Sequence, residues 1–132
     1  MILLAALIGA LLGGGLIWQM QRSGMLSERS GAAILLGAVA SFYPVFAVIE
    51  GDPLGAVLHI AIFVLFGALA MRAYHRGMLM IAGGLIAHGI FDIAAGLIDT
   101  PGPVWWPAFC AAFDIVAGVA MVRLIQRGKI TT

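Results

Sequence analysis

Two pairs of residues carry the chemistry in this chain. In the stretch GGLIAHGIFDIAAGLID, His88 and Asp92 stand four residues apart, and in PVWWPAFCAAFD, Cys110 and Asp114 repeat that spacing. Residues four apart share one face of a helix. An imidazole and two carboxylates on such faces can hold a divalent metal, pass a proton, or orient one another for acid/base work. The surroundings make them conspicuous. Both pairs lie in apolar stretches, and an Asp at the centre of a membrane-spanning helix costs roughly 2.5 to 3.5 kcal/mol on insertion scales, so such residues face a bundle interior or a wet cavity.

The elements that must position these residues follow from composition. The 132 residues are 63% hydrophobic and only 10% charged, with a mean hydropathy of +1.11, whereas soluble domains carry about 25% charged residues. An all-α, polytopic transmembrane bundle is expected, folded as a single domain over residues 1–132. Apolar runs at about Ile2 to Met20, Gly31 to Ile49, Leu54 to Ala73, Met78 to Ile98 and Val104 to Ile125 each approach the roughly 20 residues needed to cross the hydrocarbon core, which predicts five helices. The breaks QRSGMLSERS, EGDP, RAYHRG and DTPGP hold most of the charge.

Charge sets an expected orientation. Arg22, Arg29, Arg72, Arg76, Arg123, Arg127 and Lys129 fall in the first loop, the third loop and the C-terminal tail, and none falls in the second or fourth loop. By the positive-inside rule the N-terminus is outside and the C-terminus cytoplasmic. The opening MILLAALIGALLGGG has no positive n-region and no clear cleavage site, so it is expected to remain as the first helix. Trp18, Trp105 and Trp106 suit headgroup-depth anchors. Gly9 and Gly13 form a GxxxG, and Ala33, Gly37 and Ser41 a second stripe of small residues; both predict close helix packing.

Counting inward at 1.5 Å per residue puts His88 and Asp114 at roughly 15 Å, Asp92 and Cys110 at roughly 9 Å, and His59 at roughly 7 to 8 Å from the outer helix ends. Glu50 caps the outer end of the second span. These residues predict a layered polar shaft that opens outward, with Glu50, His59, His88, Asp92 and Asp114 as candidate metal ligands and Cys110 beside them. His88, Asp92 and Asp114 are the candidate catalytic set. His75, between Tyr74 and Arg76, belongs to the cytoplasmic rim and is left outside the site.

With HGIFD and PVWWPAFCAAFD, the chain resembles a family of small bacterial integral membrane proteins of unknown function. Its members carry a His-x-x-aromatic-Asp helix, a Pro-containing turn, and a helix with a Cys shortly before an Asp. His88, Phe91, Asp92, Pro103 or Pro107, Cys110 and Asp114 carry the match, with weaker similarity at Glu50 and at Ala73 to Gly77. The resemblance covers about the C-terminal two thirds and implies residence in a bacterial cytoplasmic membrane. Family members often continue the fourth helix with further histidines after the Asp, where this chain reads IAAGLID. No established activity comes with the family.

Four functions remain open on sequence grounds. A Zn²⁺, Mn²⁺ or Fe²⁺ centre, or a metal-free acid/base site, would act on a lipid or other apolar small molecule; in one metal-free form Cys110 is the nucleophile and His88 its base. A homo-oligomer could couple proton movement to transport, although no internal repeat supports this. His59 and His88 on consecutive helices could ligate a haem. The polar stripe could instead serve only packing in an accessory subunit, since interhelical hydrogen bonds in membranes average about 0.6 kcal/mol. Nucleic-acid binding is not expected, because the few basic residues follow the topology pattern and no phosphate loop or dinucleotide fingerprint is present.

Overall fold

The computed structural model describes residues 1–131 as helices joined by short turns: α1 (Ile2–Arg22), α2 (Arg29–Ala40), α3 (Phe42–Glu50), α4 (Pro53–Arg76), α5 (Met78–Ala95) and α6 (Trp106–Gln126). There is no strand among the described residues. With α2 and α3 taken as one interrupted span, Arg29–Glu50, five helices are long and apolar enough to cross a membrane. Large apolar side chains such as Leu3, Leu7 and Leu11 on α1 and Leu54, Leu65 and Met71 on α4 point out of the bundle, a surface suited to lipid rather than water.

The interruption departs from the continuous second helix expected over Gly31 to Ile49, and Pro44 explains it. Proline has no N–H to offer the carbonyl four residues back, and its ring crowds that turn. Ser41 lies in the break, where its N–H and hydroxyl both reach the Ala38 carbonyl, at 3.1 and 2.7 Å. The new direction buries Tyr43 and Ala47 on the inner face of α3. The fourth span also ends earlier than expected, at Ala95, and the fifth begins at Trp106, whose N–H donates to the Pro103 carbonyl in the DTPGP turn.

Local sequence sets the remaining turns. Gly51 ends α3 with φ +71, and Asp52 then caps α4 by accepting the Gly55 N–H at 2.9 Å, with Pro53 in the first turn. At the opposite end of the bundle, Arg29 donates to the carbonyls of Tyr74 and His75 at 3.2 and 3.4 Å, placing a cation on the negative terminus of α4.

Helix α1 packs along α6, α6 along α5, and the α2–α3 span along α4, which closes on α5. Glycines permit the two closest approaches. A Cβ on Gly9 or Gly13 would run into the main-chain carbonyls of Phe109 or Phe113, and one on Gly118 would stand 2.7 Å from the Ala82 carbonyl. The GxxxG of α1 is therefore a helix contact, as its pattern predicts. The Ala33–Gly37–Ser41 stripe divides: Ala33 packs against the buried core, while nothing lies within 4 Å of a Cβ on Gly37, and the stripe lines an open groove of about 630 Å³ shared with Gly67 and Ala70 of α4. In lipid, an apolar stripe can face either a helix or the bilayer without penalty, so spacing alone does not decide.

The dry core fills the half of the bundle nearer the basic loops, where Ile17, Leu36, Met78, Ile81, Leu85 and Met121 are buried together. The other half holds aromatic rings and the polar centre.

Candidate functional site

His88 and Asp92 lie one turn apart on the buried face of α5, and Asp114 lies on the facing side of α6. The polar faces of the two helices therefore meet inside the bundle, as the cost of a carboxylate in lipid requires. The His88 Nδ1–H donates to Asp114 Oδ2 at 2.7 Å, and the same nitrogen stands 3.3 Å from Asp92 Oδ2, an ion-pair distance. One ligand atom from each residue lies within 4.8 Å of the other two. Exposure is 1% for His88 and 0% for both aspartates, so the shaft expected to open outward is closed at this level.

Satisfaction of these groups is incomplete. His88 Nε2, both Asp92 oxygens and Asp114 Oδ1 are buried without a hydrogen-bond partner. Even with His88 protonated, two ionised carboxylates leave this centre one negative charge in excess. Buried charge is stable only when paired or neutralised, and a cluster of orphaned acceptors marks a place for an ion, a water or a proton. A bound cation or a proton held by one of the carboxylates would remove that surplus.

Aromatic rings enclose the centre. Phe66 of α4 meets the His88 ring edge-on at 4.7 Å, and Phe91 lies 5.7 Å from it. Tyr43 packs edge-on against Phe91 and stacks on His59 at 5.1 Å. Its buried hydroxyl makes no aligned hydrogen bond, yet it lies within interaction range of Asp92, Asp114 and Cys110. Sequence reasoning missed Tyr43, although Pro44 was a usable signal: a proline inside an apolar run announces a break, and a break re-aims its neighbours.

The other expected residues separate into those near the centre and those away from it. Cys110 is buried one turn before Asp114 and lies within electrostatic range of both aspartates. His59 is buried behind Tyr43, with Nδ1 unpartnered, and does not belong to the three-residue ligand group. Glu50 is exposed at the end of α3, where Oε1 accepts the Gly102 N–H at 2.8 Å. That bond ties the second span to the DTPGP turn and holds the carboxylate away from the triad. Replacing Glu50 with Ala is expected to lower stability by about 1 kcal/mol, the usual net worth of such a bond, read by thermal unfolding in detergent. His75 is exposed at the end of α4.

Comparison of the chain with known sequence families, with curated proteins and with solved structures found no match.

Proposed function

We propose that the chain is a bacterial inner-membrane protein whose His88–Asp92–Asp114 centre binds one divalent cation, Zn²⁺, Mn²⁺ or Fe²⁺. The same proposal includes membership of the small-membrane-protein family that HGIFD and CAAFD resemble, with the N-terminus outside and the C-terminus cytoplasmic. The observation that carries it is donor spacing. Ligands about 2.1 Å from one cation stand about 3.0 Å apart in an octahedral shell and about 3.4 Å apart in a tetrahedral one. His88 Nδ1 lies 2.7 and 3.3 Å from the two carboxylate oxygens, near those spacings, and all three donors lie within 4.8 Å of one another, which supports a cation in place of the Nδ1 proton.

A cation there would offset both carboxylates and would lower the pKa of any water it bound, supplying a nucleophile or base near neutral pH. The protein's own part is to hold the donors, exclude bulk water with Phe66, Phe91 and Tyr43, and place the Tyr43 hydroxyl beside Asp92. A lipid or other apolar small molecule entering from the acidic end of the bundle is the substrate class that suits these walls.

X-ray absorption at the metal edge of loaded protein tests the donor set. One imidazole nitrogen with two or more carboxylate oxygens is expected, and the spectrum should change modestly in Tyr43→Phe. A sulfur shell at about 2.3 Å would place Cys110 on the metal and overturn this assignment.

A second reading, proton-coupled transport by a homo-oligomer, is favoured by one observation. The unpartnered atoms His59 Nδ1, Tyr43 hydroxyl and the Asp92 oxygens lie on neighbouring side chains that lead towards His88. Proton flux into proteoliposomes that survives Tyr43→Phe unchanged would end that reading. A haem between His59 and His88 is disfavoured, because Tyr43 and Phe66 already pack against those two rings.

A further inference from the structure

A groove of about 500 Å³ runs between α1 and α6 towards the basic end of the bundle. Its floor is apolar and shallow-sided, formed by Gly14 and Ile17 on α1 and by Val116, Val119 and Ala120 on α6. Its mouth is different. Trp18, Gln21, Arg123 and Arg127 line it, and the Arg22 guanidinium sits 4.3 Å above the Trp18 ring. Arg123 lies on the last turn of α6 and Arg127 at its C-cap, where its N–H donates to the Arg123 carbonyl at 3.1 Å, so the two arginines sit at the same end of the groove. No carboxylate lines the groove, and neither arginine makes an ion pair among the described residues.

We infer that this groove is a binding site for an anionic phospholipid, with the phosphate-bearing headgroup at Arg123 and Arg127 and one acyl chain on the Gly14–Val119 floor. Charge complementarity selects this occupant. A neutral lipid has no use for two unpaired guanidinium groups, whereas each arginine near a membrane surface favours an anionic headgroup by a several-fold factor. A second copy docked through the same face would bring its own arginines against these and be repelled. A free phosphate would use the mouth and leave the apolar floor without a function. The tryptophan suits a groove at headgroup depth, where indoles settle. This inference is independent of what the His88 centre binds.

Trp18 makes the site directly readable. In the full chain carrying Trp105→Phe and Trp106→Phe, Trp18 is the remaining indole, and phospholipids brominated on the acyl chain quench indoles they touch. Titrated in detergent, brominated phosphatidylglycerol is expected to quench Trp18 at a concentration at least about tenfold below that of brominated phosphatidylcholine. The double substitution Arg123→Gln with Arg127→Gln should abolish that difference, and Arg123→Lys with Arg127→Lys should retain most of it. A Cβ on Gly14 would meet Val116 at an ordinary 3.4 Å, so Gly14→Leu fills the floor without a backbone clash and should weaken quenching by both lipids. Equal potency of the two lipids, a preference that survives loss of both arginines, or displacement of phosphatidylglycerol by equimolar inorganic phosphate would overturn the inference.

Discussion

Replacing His88 with Leu is expected to destabilise the bundle by about 3 kcal/mol or more, the range seen when one partner of a buried charge cluster is removed. The substitution would leave Asp92 and Asp114, both at 0% exposure, without the imidazole that stands between them. Magnitude separates the two accounts of the centre. If the 2.7 Å bond were only a helix clamp, its loss would fall within the range measured for interhelical hydrogen bonds, about 0.6 kcal/mol on average and about 1.7 at most. The companion variant His88→Leu with Asp92→Asn and Asp114→Asn should recover most of the loss, because it removes the uncompensated charge along with its partner. Equilibrium unfolding in mixed micelles reads both. A loss under about 1 kcal/mol in the single variant would favour the clamp.

Gly13→Val is expected to have the second largest effect, separating α1 from α6. Any Cβ at Gly13 runs into the Phe113 main chain, and backbone cannot swing aside as a flexible side chain can. Overpacking of this kind costs about 1 to 3 kcal/mol when a structure absorbs it. Here α1 has α6 as its main neighbour, so release of the helix is the easier response. Cross-linking of cysteines placed at Gly14 and Val116, where a Cβ on Gly14 stands 3.4 Å from the Val116 side chain, should fall sharply in Gly13→Val, and Gly15→Val should leave it unchanged, because nothing lies within 4 Å of a Cβ there.

The sequence made the helices and the heart of the site legible for different reasons. Apolar run length is a direct consequence of bilayer thickness, so five spans could be counted before any contact was known. His88 and Asp92 were paired by helical geometry, and Asp114 by the cost of exposing a carboxylate to lipid. Lateral position was not legible. Glu50 and His59 have suitable depths, but depth along a helix says nothing of the direction in which a side chain points, and Glu50 turns to Gly102, 52 residues away in sequence. Tyr43 was hidden because an aromatic in an apolar run reads as ordinary packing. The break that aims it inward depends on Pro44, whose effect on direction emerges only in three dimensions. The two small-residue stripes illustrate the same limit: Gly9 and Gly13 meet a helix, while Gly37 faces open space.

The most direct measurement is divalent-metal stoichiometry and affinity in purified, metal-replete protein, comparing the wild type with His88→Ala, Asp114→Asn and His75→Ala. About one metal per chain is expected in the wild type and in His75→Ala, with affinity reduced at least about tenfold when a ligand to the metal is removed, as even loss of an outer-shell partner costs about 10- to 100-fold. Wild-type protein without stoichiometric metal, or metal that persists undiminished after His88→Ala, would contradict the assignment of this buried centre as a cation site.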